Sequence, residues 1–104
     1  ARPVVGVEVD PVAIECAREN LDLNRLAESV ELVTGRLDDV PPRAYDLVVA
    51  NIERKLIEML LQREGLPNRI IVSGLRIEDT VDHHGWTLVT QHVLDGWRSA
   101  LLVR

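Results

Sequence analysis

The chain has 104 residues, of which 46% are hydrophobic and 28% charged, and its formal net charge is −5. This length suits one small domain, and the acidic balance argues against nonspecific nucleic-acid binding, which needs clustered Lys and Arg. No apolar run approaches the roughly 20 residues of a membrane-spanning helix. Cys16 is the only cysteine, so no disulfide can form within the chain and a reducing, cytoplasmic setting is expected.

The first half of the sequence predicts a strand, a helix and two further strands. An apolar run over residues 3–10 is rich in β-branched side chains and predicts a buried strand that starts at Pro3. Asp10 and Pro11 then predict a helix start, because Asp is a favoured N-cap and Pro suits the first helical position. Two more strands are predicted over residues 30–34 and 45–50.

The second half predicts a helix over about residues 53–63 and a strand over residues 69–73 that is stopped by Gly74. A short turn of helix is predicted near residues 77–82. Two last strands, over residues 87–93 and 97–103, are joined by Asp95-Gly96, a hairpin signal. Strands that alternate with helices predict an α/β fold, with a mostly parallel sheet and a C-terminal antiparallel hairpin, in a single domain over residues 1–104.

Polar or small residues follow the predicted strands, and ligands of open α/β sheets bind beyond the carboxyl ends of the strands. These residues are Glu8 and Asp10, Gly35 and Arg36, Asn51 and Ile52, and Ser73 and Gly74. Glu8 could accept hydrogen bonds from both hydroxyls of a ribose, although a solvated strand-end acid is a common alternative. Asp10 is better explained as the helix cap. The amide of Asn51 could face the cleft or cap the following helix, and both interpretations remain open.

The three histidines, His83, His84 and His92, are possible metal ligands by residue type. Adjacent histidines on a loop point apart, and no cysteine or acid cluster has ligand spacing, so no metal site is predicted. The sequence also contains no serine nucleophile elbow, no phosphate-binding loop and no paired catalytic acids.

Several stretches resemble the ribosomal protein L11 methyltransferase family. Residues 5–11 (VGVEVDP) and 17–20 (AREN) are similar to the second-strand region of class I methyltransferases in general. More specific to the family are residues 45–52 (YDLVVANI), 73–75 (SGL) and 97–104 (WRSALLVR). The resemblance covers nearly the whole chain, and it implies a Rossmann-like class I methyltransferase sheet.

The resemblance also implies an activity and a cofactor. The expected reaction is transfer of a methyl group from S-adenosyl-L-methionine to amino groups of a protein, with ribosomal protein L11 as the implied substrate. Glu8 would hold the cofactor ribose, with Asp10 beside it, and Gly35 and Arg36 would lie near the adenine. Asn51 would be the catalytic residue, beside the methionine end of the cofactor and the incoming amine.

The sequence departs from the family pattern at its N-terminus and in its helices. The glycine-rich loop of the family follows a strand that would precede Ala1, so the sheet is expected to be incomplete there and to lack its central strand. The chain does not begin with Met, and its only methionine is Met59, so we expect upstream sequence. Arg36 stands where related enzymes often have an acid for the adenine amino group. The helix after Asn51 and the segment from 76 to 85 are short for the family.

These departures leave a second hypothesis open, a non-catalytic methyltransferase-like remnant that acts as an interaction or dimerisation module. A sheet without its central strand exposes an apolar edge, which favours a homodimer. A third interpretation, a nicotinamide-dependent enzyme, is supported by the strand-end acid alone. We therefore expect part of a methyltransferase domain, without the first strand and glycine-rich loop of the family. Its expected partner is a protein substrate, and no nucleic-acid or membrane partner is expected.

Overall fold

The computed structural model describes residues 4–104. The chain forms two compact units, residues 1–43 and residues 44–104. Pro3, the predicted start of the first strand, lies outside the described residues. A single domain over residues 1–104 therefore stays a prediction.

The first unit contains a parallel strand pair and the helix that connects the two strands. Strand β1 (Val4–Glu8) pairs with β2 (Val30–Thr34) along its whole length. Helix α1 (Pro11–Leu23) lies between them in sequence and buries Ile14, which is 2% exposed. A 3-10 helix (Leu37–Asp39) follows β2. The predicted strand–helix–strand order is confirmed in this unit, since parallel neighbours require a crossover connection.

The second unit contains a four-stranded mixed sheet and one helix. Its elements are β3 (Val48–Asn51), α2 (Arg54–Leu61), β4 (Arg69–Arg76), β5 (Thr87–Leu94) and β6 (Trp97–Val103). The strand order is β3-β4-β6-β5, with β3 parallel to β4 and the other two pairs antiparallel. Positive φ angles at Asp95 (50°) and Gly96 (82°) fit a type I′ hairpin turn. The predicted α/β class, with its C-terminal antiparallel hairpin, is confirmed. The predicted mostly parallel sheet is not: the described strands form two parallel and two antiparallel pairs, because the hairpin pairs directly with β4.

Helix α2 covers one face of this sheet. The buried residues of the helix are Ile57, Leu60 and Leu61, and those of the central strands are Ile70, Val72, Leu75, Ala100 and Leu102. Trp86 extends this core, because its ring is 4% exposed and its Nε1 donates to the Leu61 carbonyl at 3.0 Å. The guanidinium of Arg104 lies 4.5 Å from the centre of that ring. The opposite face of the sheet stays half exposed.

The predicted helix over residues 77–82 is wrong, and this segment is a turn. The backbone N–H of Arg76 donates to Asp79 Oδ2 at 2.9 Å, and the N–H of Asp79 donates to the Arg76 carbonyl at 3.1 Å. Arg98 Nη2 also donates to the Asp79 carbonyl, at 2.8 Å. A carboxylate that bonds a nearby backbone N–H offers an alternative to helical hydrogen bonding. Local contacts and the hairpin arginine therefore hold the segment as a turn.

Strand β4 is also longer than predicted, because Gly74 does not stop it. The strand continues to Arg76, and its register against β6 shifts between Val72 and Leu75. Gly74 has a φ of +88°, which L side chains rarely adopt. The glycine therefore forms an irregularity inside the strand.

Strand edges are open in both units. Within residues 4–104, β1 pairs only with β2, and β3 pairs only with β4. Strand β5 pairs only with β6, and all eight of its residues are exposed. Unpaired backbone groups along an edge are able to accept another strand. Neither helix of the described region is long and apolar enough to cross a membrane.

Candidate functional site

In the first unit, Glu8 and Gly35 lie side by side at the carboxyl ends of β1 and β2. The backbone N–H of Gly35 donates to the Glu8 carbonyl at 2.9 Å, which holds the two strand ends together. The Glu8 side chain is exposed, and its Oε1 accepts a weak hydrogen bond of 3.3 Å from the Asp10 N–H. Its other carboxylate oxygen has no hydrogen bond to any residue in 4–104. A carboxylate with this freedom is able to accept hydrogen bonds from a ligand.

Asp10 caps α1, as the sequence predicted. Its Oδ1 accepts a hydrogen bond from the Val12 N–H at 2.9 Å, and Pro11 occupies the first helical position. This bond satisfies one of the amides that the first turn of a helix leaves without a partner. The cap accounts for Asp10 without a ligand, and a role in cofactor binding stays a prediction.

Asp10→Ala is expected to lower the free energy of unfolding by about 1 kcal/mol, the usual cost of losing an N-cap. Urea denaturation followed by circular dichroism would measure the change. Glu19→Ala, an exposed substitution on the same helix, is the matched control and should cost no more than about 0.5 kcal/mol. Equal losses in the two variants would contradict the capping role.

Gly35 and Arg36 form a tight turn into the 3-10 helix. The Arg36 N–H donates to Asp39 Oδ2 at 2.8 Å, and a Cβ placed on Gly35 would lie 2.9 Å from the Asp39 Cβ. Only a residue without a Cβ lets Asp39 approach this closely. The structure thus brings Glu8, Asp10, Gly35 and Arg36 together in the first unit. Their predicted contacts with ribose and adenine stay predictions.

In the second unit, Asn51 ends β3 and belongs to a polar row on the open face of the sheet. Asn51 pairs with Ser73, and Ser99 pairs with His92. The neighbours of the two serines, Val72 and Ala100, pair with each other on the buried face. Because side chains alternate between faces along a strand, all four polar side chains lie on the face away from α2.

The alternative role of Asn51 as a helix cap is not found. Glu53 occupies the N-cap position of α2, and Asn51 remains in the strand. The Asn51 amide has no hydrogen bond to another side chain or backbone group in the described part of the chain. It is therefore available to a ligand as both donor and acceptor.

Gly74 allows the backbone beside Asn51 to approach β4. A Cβ on Gly74 would lie 2.7 Å from the Ile52 carbonyl oxygen and 2.9 Å from Asn51 Oδ1. Both distances are shorter than van der Waals contact, and the carbonyl is part of the backbone. The glycine of the SGL sequence, inside β4, therefore allows the close approach of the Asn51-Ile52 step.

A cavity of about 730 Å³ lies at the edge where β3, β4 and β5 end and β6 begins. The step Asn51-Ile52 at the end of β3 and the pair Ser73-Gly74 inside β4 line it, and a ligand-binding role for them stays a prediction. Sequence reasoning missed the other lining residues as a set: Glu53, His92, Leu94, Trp97, Arg98 and Ser99. The two-residue turn at Asp95-Gly96 was the signal that could have found part of this set, because it fixes His92 opposite Ser99.

The histidines do not form a metal centre in the described region. His84 is held in its loop, where its N–H donates to Asp82 Oδ1 at 2.9 Å, and His92 lies on β5. No group of three potential ligands from His, Cys, Asp and Glu occurs within residues 4–104. The described residues thus offer no donor set for a metal ion.

Comparison with known proteins identifies the family. The family model described as ribosomal protein L11 methyltransferase (PrmA) matches residues 1–102. The ribosomal protein L11 methyltransferase of Pelobacter propionicus is 39% identical over 79 residues, which are 72% of this chain and 25% of that protein. The Clostridium botulinum enzyme of the same name is 37% identical over 90 residues, 86% of this chain and 28% of that protein. The chain thus spans about a quarter of the length of these curated relatives.

Solved structures share the fold. A methyltransferase from Escherichia coli has a TM-score of 0.73 at 21% identity and covers 100% of this chain and 63% of its own. An RNA methyltransferase from Salinibacter ruber, in complex with S-adenosyl-L-homocysteine, has a TM-score of 0.69 at 21% identity. The match covers 97% of this chain and 65% of that protein's chain. At these identities the likeness shows a Rossmann-like methyltransferase fold and nothing about substrate. The family model and the curated relatives carry the assignment further: this chain belongs to the ribosomal protein L11 methyltransferase family.

Proposed function

We propose that the chain takes part in S-adenosyl-L-methionine-dependent methyl transfer to amino groups of a protein. The observation that carries the proposal is the cavity at the carboxyl end of β3, lined by Asn51, in a chain of this family. Cavities at this edge of an α/β sheet are the usual ligand sites of such folds.

The first unit offers a hydrogen-bond acceptor for the ribose of a nucleoside. Glu8 presents a carboxylate at the end of β1, with one oxygen free of hydrogen bonds to residues 4–104. A ribose has two adjacent hydroxyls, and one carboxylate is able to accept hydrogen bonds from both. We assign Gly35 and Arg36 to the adenine side and Asp10 to the neighbouring helix start. Arg36 offers no acceptor side chain, so contact with the adenine amino group would have to use a backbone carbonyl.

The second unit would orient the methyl acceptor. Bound S-adenosyl-L-methionine supplies an electrophilic methyl group on a sulfonium sulfur. The Asn51 amide oxygen accepts a hydrogen bond from the acceptor amine and directs the nitrogen lone pair along the transfer path. Such positioning is able to supply much of the rate acceleration, because it holds the two reacting atoms in the geometry of the transfer. Ser73, on the same face, donates or accepts a second hydrogen bond at the same edge.

Further proposals concern the partners of the protein. Ribosomal protein L11 is the methyl acceptor named for the curated relatives, and we extend it to this chain as a proposal. We also retain a cytoplasmic location and a homodimer, the latter through the open edges of β1 or β3. The non-catalytic interaction module uses the same edges, but the intact cavity beside Asn51 favours the enzyme.

The test is a calorimetric titration of the chain with S-adenosyl-L-homocysteine. Micromolar binding is expected for the unmodified chain. Glu8→Gln is expected to bind about tenfold more weakly, because the neutral amide forms weaker hydrogen bonds with hydroxyl donors than a carboxylate does. Glu19→Gln on α1 changes the net charge by the same amount and should bind as the unmodified chain does. Absence of binding at millimolar ligand would contradict the proposal for these residues.

A further inference from the structure

Strand β5 is the longest open edge among the described strands. It pairs only with β6 within residues 4–104, and all eight of its residues are exposed. The other open edges, at β1, β2 and β3, have five, five and four residues. β5 contains no Asp, Glu, Lys, Arg or Pro, the residues with which proteins commonly protect an edge. Its unpaired backbone groups are therefore accessible to another strand.

The composition of β5 suits an identical strand as the partner. Valine, threonine and leucine make up six of its eight residues, and it carries no formal charge when His92 is neutral. Two copies of this strand meet without like-charge contact, although the whole chain has a net charge of −5. Short neutral segments of high β-propensity, without Pro or Gly, are those that pair with copies of themselves. Val93 and Leu94 are 57% and 75% exposed, so pairing also covers apolar surface.

The symmetry of a dimer favours the same edge. A two-fold axis between two copies of an edge strand makes the copies antiparallel to each other. β5 is antiparallel to β6, so a second β5 continues the antiparallel pattern. β1, β2 and β3 each lie parallel to their neighbour, and a copy of any of them would change the pattern from parallel to antiparallel. Sheets of one pairing type are the more common arrangement.

The regular part of β5 determines the register. Its pairing with β6 shifts between Leu88 and Thr90 and then runs without interruption from Thr90 to Leu94. The irregularity disturbs the edge at its start and leaves residues 90–94 as the straight segment. The midpoint of this segment is His92. A two-fold axis at the midpoint places His92 opposite the same residue of the second copy, and Thr90 opposite Leu94.

We propose that residues 90–94 of β5 pair antiparallel with the same residues of a second copy of this chain, with the two-fold axis at His92. The inference goes beyond the proposed function and names an edge other than β1 and β3 for self-association. His92 and Leu94 line the cavity beside Asn51, so the second strand lies at the hairpin side of that cavity. Stable dimers bury about 1,200–2,000 Å², and a five-residue pairing buries less, so we expect association at roughly 100 μM and above.

Sedimentation equilibrium of the whole chain over a range of concentrations measures the association. The unmodified chain is expected to shift from monomer to dimer as its concentration rises. His92→Lys places two like charges directly opposite each other and should weaken the dimer about fivefold or more. His92→Gln stays neutral and should keep it. Val4→Lys and Val49→Lys are the matched controls, because they add the same charge at exposed positions on β1 and β3, and they should associate as the unmodified chain does.

Disulfide cross-linking tests the register. In a Cys16→Ser background, His92→Cys places two thiols across the two-fold axis. Directly opposite residues of antiparallel strands have Cα atoms about 4.5–5.5 Å apart, within the range of about 4.4–6.8 Å that a disulfide requires. Thr90→Cys would lie four residues along the strand from its own copy, roughly 13 Å away. Mild oxidation should therefore give a covalent dimer for His92→Cys and not for Thr90→Cys.

Three results would overturn the inference: a monomer at every concentration, a dimer that His92→Lys leaves intact, or equal cross-linking at positions 92 and 90. A dimer lost in Val4→Lys or Val49→Lys, but kept in His92→Lys, would assign the association to the β1 or β3 edge instead. Circular dichroism of each variant separates loss of pairing from loss of structure. These measurements contain no S-adenosyl-L-homocysteine, so their failure leaves the proposed methyl transfer standing, and failure of the cofactor titration leaves the dimer standing.

Discussion

Gly74→Ala is expected to lower the free energy of unfolding by about 2–4 kcal/mol, because the new Cβ adds two independent costs. Gly74 has a φ of +88°, which is unfavourable for any L side chain. The Cβ would also lie 2.7 Å from the Ile52 carbonyl oxygen, and that backbone atom could yield only by moving the Asn51-Ile52 step. Urea denaturation measured by circular dichroism would report the loss. The ligand titrations should also weaken, since Asn51 would be displaced.

Gly96→Ala is the matched control for this prediction. Gly96 has a similar φ of +82°, but no atom lies within 4 Å of the position of its Cβ. The control should therefore show the conformational cost alone, about 1–2 kcal/mol. Equal losses at the two positions would mean that the contact with Ile52 contributes nothing. The close approach of β4 to Asn51 would then make no measurable difference to the free energy of unfolding.

Elements that depend on a few neighbouring residues were predictable from the sequence. The cap at Asp10 and the turn at Asp95-Gly96 are stabilised within four residues of chain, and the structure confirms both. The parallel pairs also follow from the alternation of strands and helices. These features need no knowledge of distant contacts, because local hydrogen bonds and backbone preferences decide them.

Elements that depend on distant partners were not predictable. The turn at residues 76–79 is held partly by Arg98 and by the Ile77 N–H, which donates to the Gly96 carbonyl at 3.1 Å. Gly74 was interpreted as a strand end, since glycine is a common breaker. Its role in an irregular strand becomes visible only when β4 pairs with β6, a partner more than twenty residues away in the sequence.

The cavity residues on β3 and β4 were predictable from the sequence, and those on the hairpin were not. The rule that ligands bind at strand ends singled out Asn51 and Ser73-Gly74, and all three line the cavity, although Ser73 and Gly74 lie inside β4. The hairpin residues were missed because their place beside Ser73 depends on the strand order β3-β4-β6-β5, in which β6 lies between β4 and β5. Glu53 was missed because a helix start explains an acid there, and only the structure shows that the side chain does not cap.

Asn51→Ala is expected to reduce kcat for methyl transfer about a hundredfold, the scale of losing one positioning contact at a reacting group. The free energy of unfolding should change by less than about 1 kcal/mol, because the side chain is exposed and its amide bonds no other residue in 4–104. The assay is transfer of a labelled methyl group from S-adenosyl-L-methionine to ribosomal protein L11 by the unmodified and the variant protein. Asn68→Ala, an exposed asparagine outside the cavity, is the control and should keep its activity.

The division between kcat and KM decides what Asn51 does. An interaction made mainly in the transition state lowers kcat with little change in KM, whereas a contact with the bound acceptor alone raises KM. Loss of kcat at unchanged stability would support Asn51 as the catalytic residue. An Asn51→Ala variant with the kcat and KM of the unmodified protein would remove that role. The cavity would then be a substrate-binding surface at most, and the non-catalytic module would become the better explanation of these residues.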